Sequence, residues 1–212
     1  MSTAIIDYES GNLHSAEKAF QRVAAETGSG EVFVTTDPDA VRRADRIVLP
    51  GDGAFPACRA ALFERSGLFD AIEEAVITQG RPFMGICIGM QMLASRGLEH
   101  GETPGFGWIQ GTVTPIDPGD PTLKVPHMGW NDLILGDPHP LLDGISSGDH
   151  AYFVHSYHFQ VANGPDRLAH VDYAGDITAV VGRDTIVGTQ FHPEKSQATG
   201  LRIIANFLRW KP

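Results

Sequence analysis

A cysteine flanked by glycines, Gly85-Ile86-Cys87-Ile88-Gly89, closes an apolar run that begins at Pro82. This is the thiol form of the G-x-S-x-G elbow, in which a strand turns sharply into a helix with the nucleophile at the apex. The bend crowds the chain two residues before and after the nucleophile, so those positions must lack side chains. The helix that follows turns unpaired N–H groups towards the sulfur, favouring a thiolate and later an oxyanion. A small buried thiol between packing glycines is the competing reading, and the partners available to Cys87 must decide. Cys58, the other cysteine, sits in the apolar stretch 55–63 and reads as core.

A thiol nucleophile needs a base. Of nine histidines, His192 stands out because Gly188-Thr189-Gln190-Phe191-His192-Pro193-Glu194 places it at the end of an apolar strand, where the carboxyl edge of a sheet gathers reacting groups. Glu194 follows two residues later, and a chain extended through Pro193 would send both side chains from one face. Cys87 would then attack, His192 shuttle the proton and Glu194 fix its tautomer. For the oxyanion, the Ile88 N–H is one expected donor. A second is expected from the backbone of Gly51, Asp52 and Gly53, in the Gly-rich loop after an earlier strand, with the Asp52 carboxylate turned away. An ordinary Gly-rich turn is the alternative there.

These groups need a sheet to hold them. Strands are expected at 3–6, 32–34, 47–49 and 82–86, alternating with helices that begin after the Ser10-Gly11-Asn12 cap, at Ala54, near Leu68 and near Ile88, the last carrying Met92 and Leu93 inward. Such alternation predicts βαβ units and a doubly wound, mainly parallel sheet. From Gly107 onward the texture changes to strand-like pieces at 108–116, 125–135, 151–161, 168–173, 178–182 and 186–191, an antiparallel extension, and a helix over 199–210 closes the chain.

The 212 residues suffice for one substantial core, so a single domain over 1–212 is expected. A formal charge of −10 argues against nucleic acid and anionic membranes as partners. The stretch 1–10 shows no basic region ahead of an apolar one, so no export signal is expected, and the most apolar run, 82–93, is too short for a membrane span to be expected. Two cysteines outside any metal-ligand spacing suit a reducing compartment, the cytoplasm, with no metal and no cofactor expected.

Taken together, Pro50-Gly51-Asp52-Gly53, Gly85-Ile86-Cys87-Ile88-Gly89-Met90-Gln91 and Phe191-His192-Pro193-Glu194-Lys195-Ser196 resemble the class I, triad-type glutamine amidotransferases. The resemblance implies glutamine hydrolysis through a cysteine thioester, with Cys87, His192 and Glu194 as the triad. Ile5-Ile6-Asp7-Tyr8, Gly11-Asn12-Leu13 and above all Pro126-His127-Met128-Gly129-Trp130-Asn131 are similar to the glutaminase subunits of imidazole glycerol phosphate synthases, of histidine biosynthesis. That family implies a heterodimer in which ammonia passes to a separate (β/α)8-barrel cyclase subunit. It further implies Gln91 and His155-Ser156-Tyr157 around the bound glutamine, and Asn12, Met128, Trp130, Tyr152 and Lys195 at the cyclase interface. Asp52 departs from the apolar residue many relatives carry in the loop. A glutaminase subunit of another synthase such as anthranilate synthase, a non-catalytic regulatory subunit, and a cysteine hydrolase of another amide remain as alternatives.

Overall fold

The computed structural model describes residues 1–9, 13–173 and 175–212; the expected Ser10–Asn12 cap and the interface residue Asn12 lie outside the described residues. The first half runs β1 (Ser2–Ile6), α1 (Leu13–Thr27), β2 (Glu31–Thr35), α2 (Pro38–Arg43), β3 (Arg46–Gly51), α3 (Phe55–Glu64), α4 (Leu68–Glu73), β4 (Phe83–Cys87) and α5 (Ile88–Gln91). The second half carries β5 (Arg96–Gly97), β6 (Thr103–Pro104), β7 (Gly111–Pro115), β8 (His127–Asp132), β9 (Ile134–Leu135), β10 (His150–His155), β11 (Tyr157–Val161), β12 (Arg167–Asp172), β13 (Asp176–Arg183), β14 (Ile186–Thr189) and α6 (Gln197–Arg209).

The main sheet has eight strands in the order β2-β1-β3-β4-β14-β13-β12-β9. Strands β2 through β14 of that order pair in parallel, and the remaining pairs are antiparallel, as the alternation followed by turn-rich strands predicts. Strands β3 and β4 are buried at every position, which is why they read as continuous apolar runs. Helix α1 packs on α6, with the Phe20 and Phe207 rings 6.4 Å apart edge to face, and α2 packs on α4. Helix α2, which the pattern analysis passes over, is too short to show a period; Pro38 at its start and the Asp37 carboxylate capping the Asp39 N–H define it instead.

Four expectations change in the structure. The stretch 151–161 is two strands: the chain bends at Ser156, and β10 pairs with β8 in a two-stranded ribbon while β11 pairs with β7 in a separate four-stranded sheet. The stretch 125–135 divides likewise into β8, in that ribbon, and β9, at the edge of the main sheet. The strand expected from Trp108 begins at Gly111, because Trp108 joins an aromatic cluster with Phe69, Phe83 and Phe106. Helix α5 is one turn long, since the N–H groups of Leu93 and Ala94 bond three residues back and tighten the chain; Met92 and Leu93 are nonetheless buried.

Candidate active site

The carboxyl ends of β3, β4 and β14 lie side by side in register, Gly51 opposite Cys87 and Thr189 opposite Ile86. At the end of β4 the chain turns into α5, and Cys87 adopts φ 55 and ψ −110, a backbone conformation unusual for a residue with a side chain. Two glycines make the turn possible. A Cβ on Gly85 would strike the Gly89 carbonyl, and one on Gly89 would strike the Leu49 carbonyl of β3. The sequence pattern and the elbow therefore agree in their physical cause.

His192 and Glu194 meet behind the sulfur. His192 Nδ1 lies 2.8 Å from Glu194 Oε1, with both side chains nearly fully buried. The route differs from the one expected: Pro193–Lys195 is a turn of 3₁₀ helix rather than extended chain, and the curl brings the carboxylate back onto the imidazole. Burial alone would lower the His192 pKa, but hydrogen bonds to Cys87 and Glu194, reinforced by their charges, push it up to about 10. The imidazole is thus held between a sulfur and a carboxylate that both favour its protonated form. Ser196 Oγ donates to the His192 carbonyl at 2.7 Å and accepts the Tyr152 N–H at 3.0 Å, tying the histidine to β10.

In front of the sulfur is a cleft of about 240 Å³ lined by Asp52, Gly53, Cys87, Ile88, Gln91, Glu99, Pro126, Val154, His155, Ser156 and Tyr157. This is small beside the roughly 300–1,000 Å³ of drug-sized sites and suits a single amino acid. The structure brings Gln91, His155, Ser156 and Tyr157 together on this cleft; the bend at Ser156, where one chain leaves one sheet for another, forms its wall. Ile88, first in α5, has an N–H without an intrahelical acceptor beside the sulfur. The Pro50–Gly53 loop is anchored from beneath. Tyr8 Oη donates to the Pro50 carbonyl at 2.8 Å, and the Cys58 thiol lies 3.3 Å from the Asp52 carbonyl, which turns the Gly53 N–H away from Cys58. Asp52 is exposed at the cleft mouth.

Two residues here escape the sequence reading. Gln190 is fully buried; its Oε1 accepts from Gln91 Nε2 at 3.0 Å and its Nε2 donates to Cys87 Sγ at 3.7 Å. A polar amide within the apolar stretch 186–191, two residues before the candidate base, was the available signal. Glu99 places a carboxylate on the cleft while its Oε2 accepts the Phe55 N–H at 2.7 Å, and nothing in its local sequence marks it. Among the described residues, Gln91 Oε1 is buried without a partner. The Glu99 carboxylate and the Gln91 amide thus come from residues that line one small cleft.

Of the expected interface residues, Met128 and Trp130 are exposed at 63% and 49%. Tyr152 stands edge-on to Trp130 with ring centroids 5.8 Å apart, and Lys195 lines a separate surface cavity with Ser15, Lys18 and Glu194.

A family model described as Glutamine amidotransferase class-I matches residues 4–210. A protein of Cereibacter sphaeroides named imidazole glycerol phosphate synthase subunit HisH is 73% identical over 212 residues, covering both chains in full. Its namesakes in Ruegeria pomeroyi and Rhodospirillum rubrum are 68% and 57% identical, again over the whole of both chains. Among solved structures, one described as a glutamine amidotransferase shares the fold with a TM-score of 0.72 at 18% identity, covering 97% of this chain and 98% of its own. The glutaminase domain of Trypanosoma brucei CTPS with bound acivicin gives a TM-score of 0.66 at 15% identity, covering 100% and 95%. The chain belongs to the class-I glutamine amidotransferase family, and its near relatives within that family are the HisH subunits of imidazole glycerol phosphate synthase.

Proposed function

We propose that this chain is the glutaminase subunit of an imidazole glycerol phosphate synthase, hydrolysing glutamine to glutamate and supplying the ammonia to a separate (β/α)8-barrel cyclase subunit in the cytoplasm. The observation that carries the reading is the alignment of Cys87, His192 and Glu194 across the carboxyl edge of one sheet, with an amino-acid-sized cleft on the open side of the sulfur. Full-length relatives bearing the HisH name support the choice of synthase.

In this reading the glutamine α-ammonium sits between Glu99 and the free Gln91 carbonyl, and its carboxamide lies over Cys87. The thiolate attacks the amide carbon, and the electron pair of the C=O moves to oxygen, which the Ile88 N–H and a backbone N–H of the Gly51–Gly53 loop receive. As the C–N bond breaks, the His192 imidazolium gives its proton to nitrogen and ammonia leaves, with a thioester on Cys87. Water then loses a proton to His192 and adds to the thioester; the C–S bond breaks, releasing glutamate and restoring the thiolate. Glu194 keeps the imidazole in one tautomer throughout. Met128 and Trp130, with Tyr152 beside Trp130, form the surface offered to the cyclase, since exposed aromatics and methionine concentrate at interfaces; Lys195 and Asn12 are assigned to that interface by resemblance.

The test is reconstitution with the cyclase subunit. Cys87→Ala should abolish glutamine-dependent synthesis of imidazole glycerol phosphate while leaving ammonia-dependent synthesis by the complex intact. Equal loss of both, or glutamine-dependent synthesis surviving in the variant, refutes the assignment.

A further inference from the structure

Strand β8 alternates along its length, with His127, Gly129 and Asn131 inward and Met128, Trp130 and Asp132 outward. The inward residues begin a line of hydrogen bonds that reaches the cleft. His155 Nδ1 lies 2.8 Å from the Tyr157 carbonyl oxygen, and His155 Nε2 lies 3.0 Å from His127 Nδ1. A carbonyl can only accept, so His155 carries its proton on Nδ1 and its Nε2 is an acceptor. His127 must therefore donate from Nδ1, which leaves its Nε2 to accept from Asn131 Nδ2 at 3.3 Å. Burial lowers the pKa of His155 to about 3 and of His127 to about 4, so both rings are neutral at physiological pH and one tautomer of each satisfies every contact.

Beyond the histidines the Tyr157 carbonyl takes a second N–H, from Gln91 Nε2 at 3.0 Å, and the same amide nitrogen reaches Gln190. The carbonyl is thus held from two sides, one set by β8 and the other by Gln91, a residue that lines the cleft.

We propose that His127, which does not line the cleft, is a positioning residue for glutamine: by fixing the tautomer of His155 it orients the Tyr157 carbonyl and, through it, the Gln91 carboxamide that meets the substrate. The inference rests on the glutaminase reading above. It also means that one strand supports the substrate cleft on its inner side and carries the Met128 and Trp130 surface on its outer side.

A purely packing role is the rival, because the His127 ring also stacks on Tyr173 and Phe153 with centroids 4.1 and 4.9 Å away. Two variants separate the roles. His127→Phe keeps an aromatic ring and removes the donor, whereas His127→Asn keeps an N–H near the position of Nδ1 and removes the ring. In the full chain, covalent labelling of Cys87 by an electrophilic glutamine analogue gives a half-saturating concentration and a maximal rate. His127→Phe should raise the half-saturating concentration tenfold or more with the maximal rate within threefold, and His127→Asn should remain within threefold on both. Unchanged binding in His127→Phe, or equal weakening in the two variants, overturns the proposal. Should His127→Phe fail to fold, Asn131→Leu frees the outer end of the line and should weaken binding at least threefold; no change there overturns it equally. If the unsubstituted chain is not labelled at Cys87, or glutamine does not protect it, the glutaminase reading itself fails, an outcome distinct from failure of the relay alone.

Discussion

Replacing Glu194 by Gln removes one charge from the His192 pair and leaves the side-chain shape unchanged. The two groups meet at 2.8 Å with their side chains only 8% and 4% exposed, so solvent screens them little. Charge centres about 4 Å apart in a medium of effective dielectric about 20 interact by about 4 kcal/mol. A neutral hydrogen bond from Nδ1 to the Gln oxygen retains roughly 1 kcal/mol of this, so the imidazolium loses about 3 kcal/mol of support, on the order of 10²-fold in the population of the charged pair. Burial, which by itself lowers the His192 pKa, then has only Cys87 opposing it. Alkylation of Cys87 by iodoacetamide across pH 5 to 10 reads that population directly, and glutamate release by the reconstituted complex reads its consequence. Glu194→Gln should be slowed about 10²-fold at pH 7 relative to the native chain. A variant with native rate and native profile would show that the carboxylate does not hold the imidazolium, and the charge argument would fall.

Two further outcomes follow from the geometry. His127 and His155 have folded pKa values of about 4 and 3, below the ordinary 6.5, so their contribution to stability is present above pH 6.5 and lost as pH falls through those values. Near pH 5 the unfolded chain should bind about two protons more than the native one through this pair; calorimetric unfolding in buffers of different ionisation heat measures the uptake, and His127→Phe should remove about one of them. Gly89→Ala drives a methyl group into the Leu49 carbonyl across the junction of β3 and α5; urea unfolding should report a loss of about 2–3 kcal/mol, and native stability in this variant would mean that the elbow is looser than described.

The elements that carry Cys87, His192 and Glu194 were legible because their signals are local. Gly85 and Gly89 are dictated by backbone contacts within one turn, and the apolar runs of β3 and β4 report burial on both faces. What escaped depends on where the chain goes next. Nothing in the apolar run 151–161 reveals that Ser156 sends its two halves into different sheets, because the division is decided by pairing with β7 and β8, both earlier in the chain. Glu99 reaches the cleft from a loop whose course depends on the short β5 and β6 strands, and its role is tertiary from the outset. His192 and Glu194 were paired correctly by spacing for the wrong reason, since both an extended chain and a 3₁₀ turn can place residues i and i+2 within reach.

The division at Ser156 has a mechanical consequence. Cys87 and His192 follow strands of the eight-stranded sheet, whereas the opposite wall of the cleft is a joint between two smaller pieces of β-structure that pair elsewhere. A load applied to the β8–β10 ribbon, by anything seated against Trp130, would change the width of the cleft and, through the bonds of Tyr152 and Ser196 to the His192 backbone, would reach the imidazole as well.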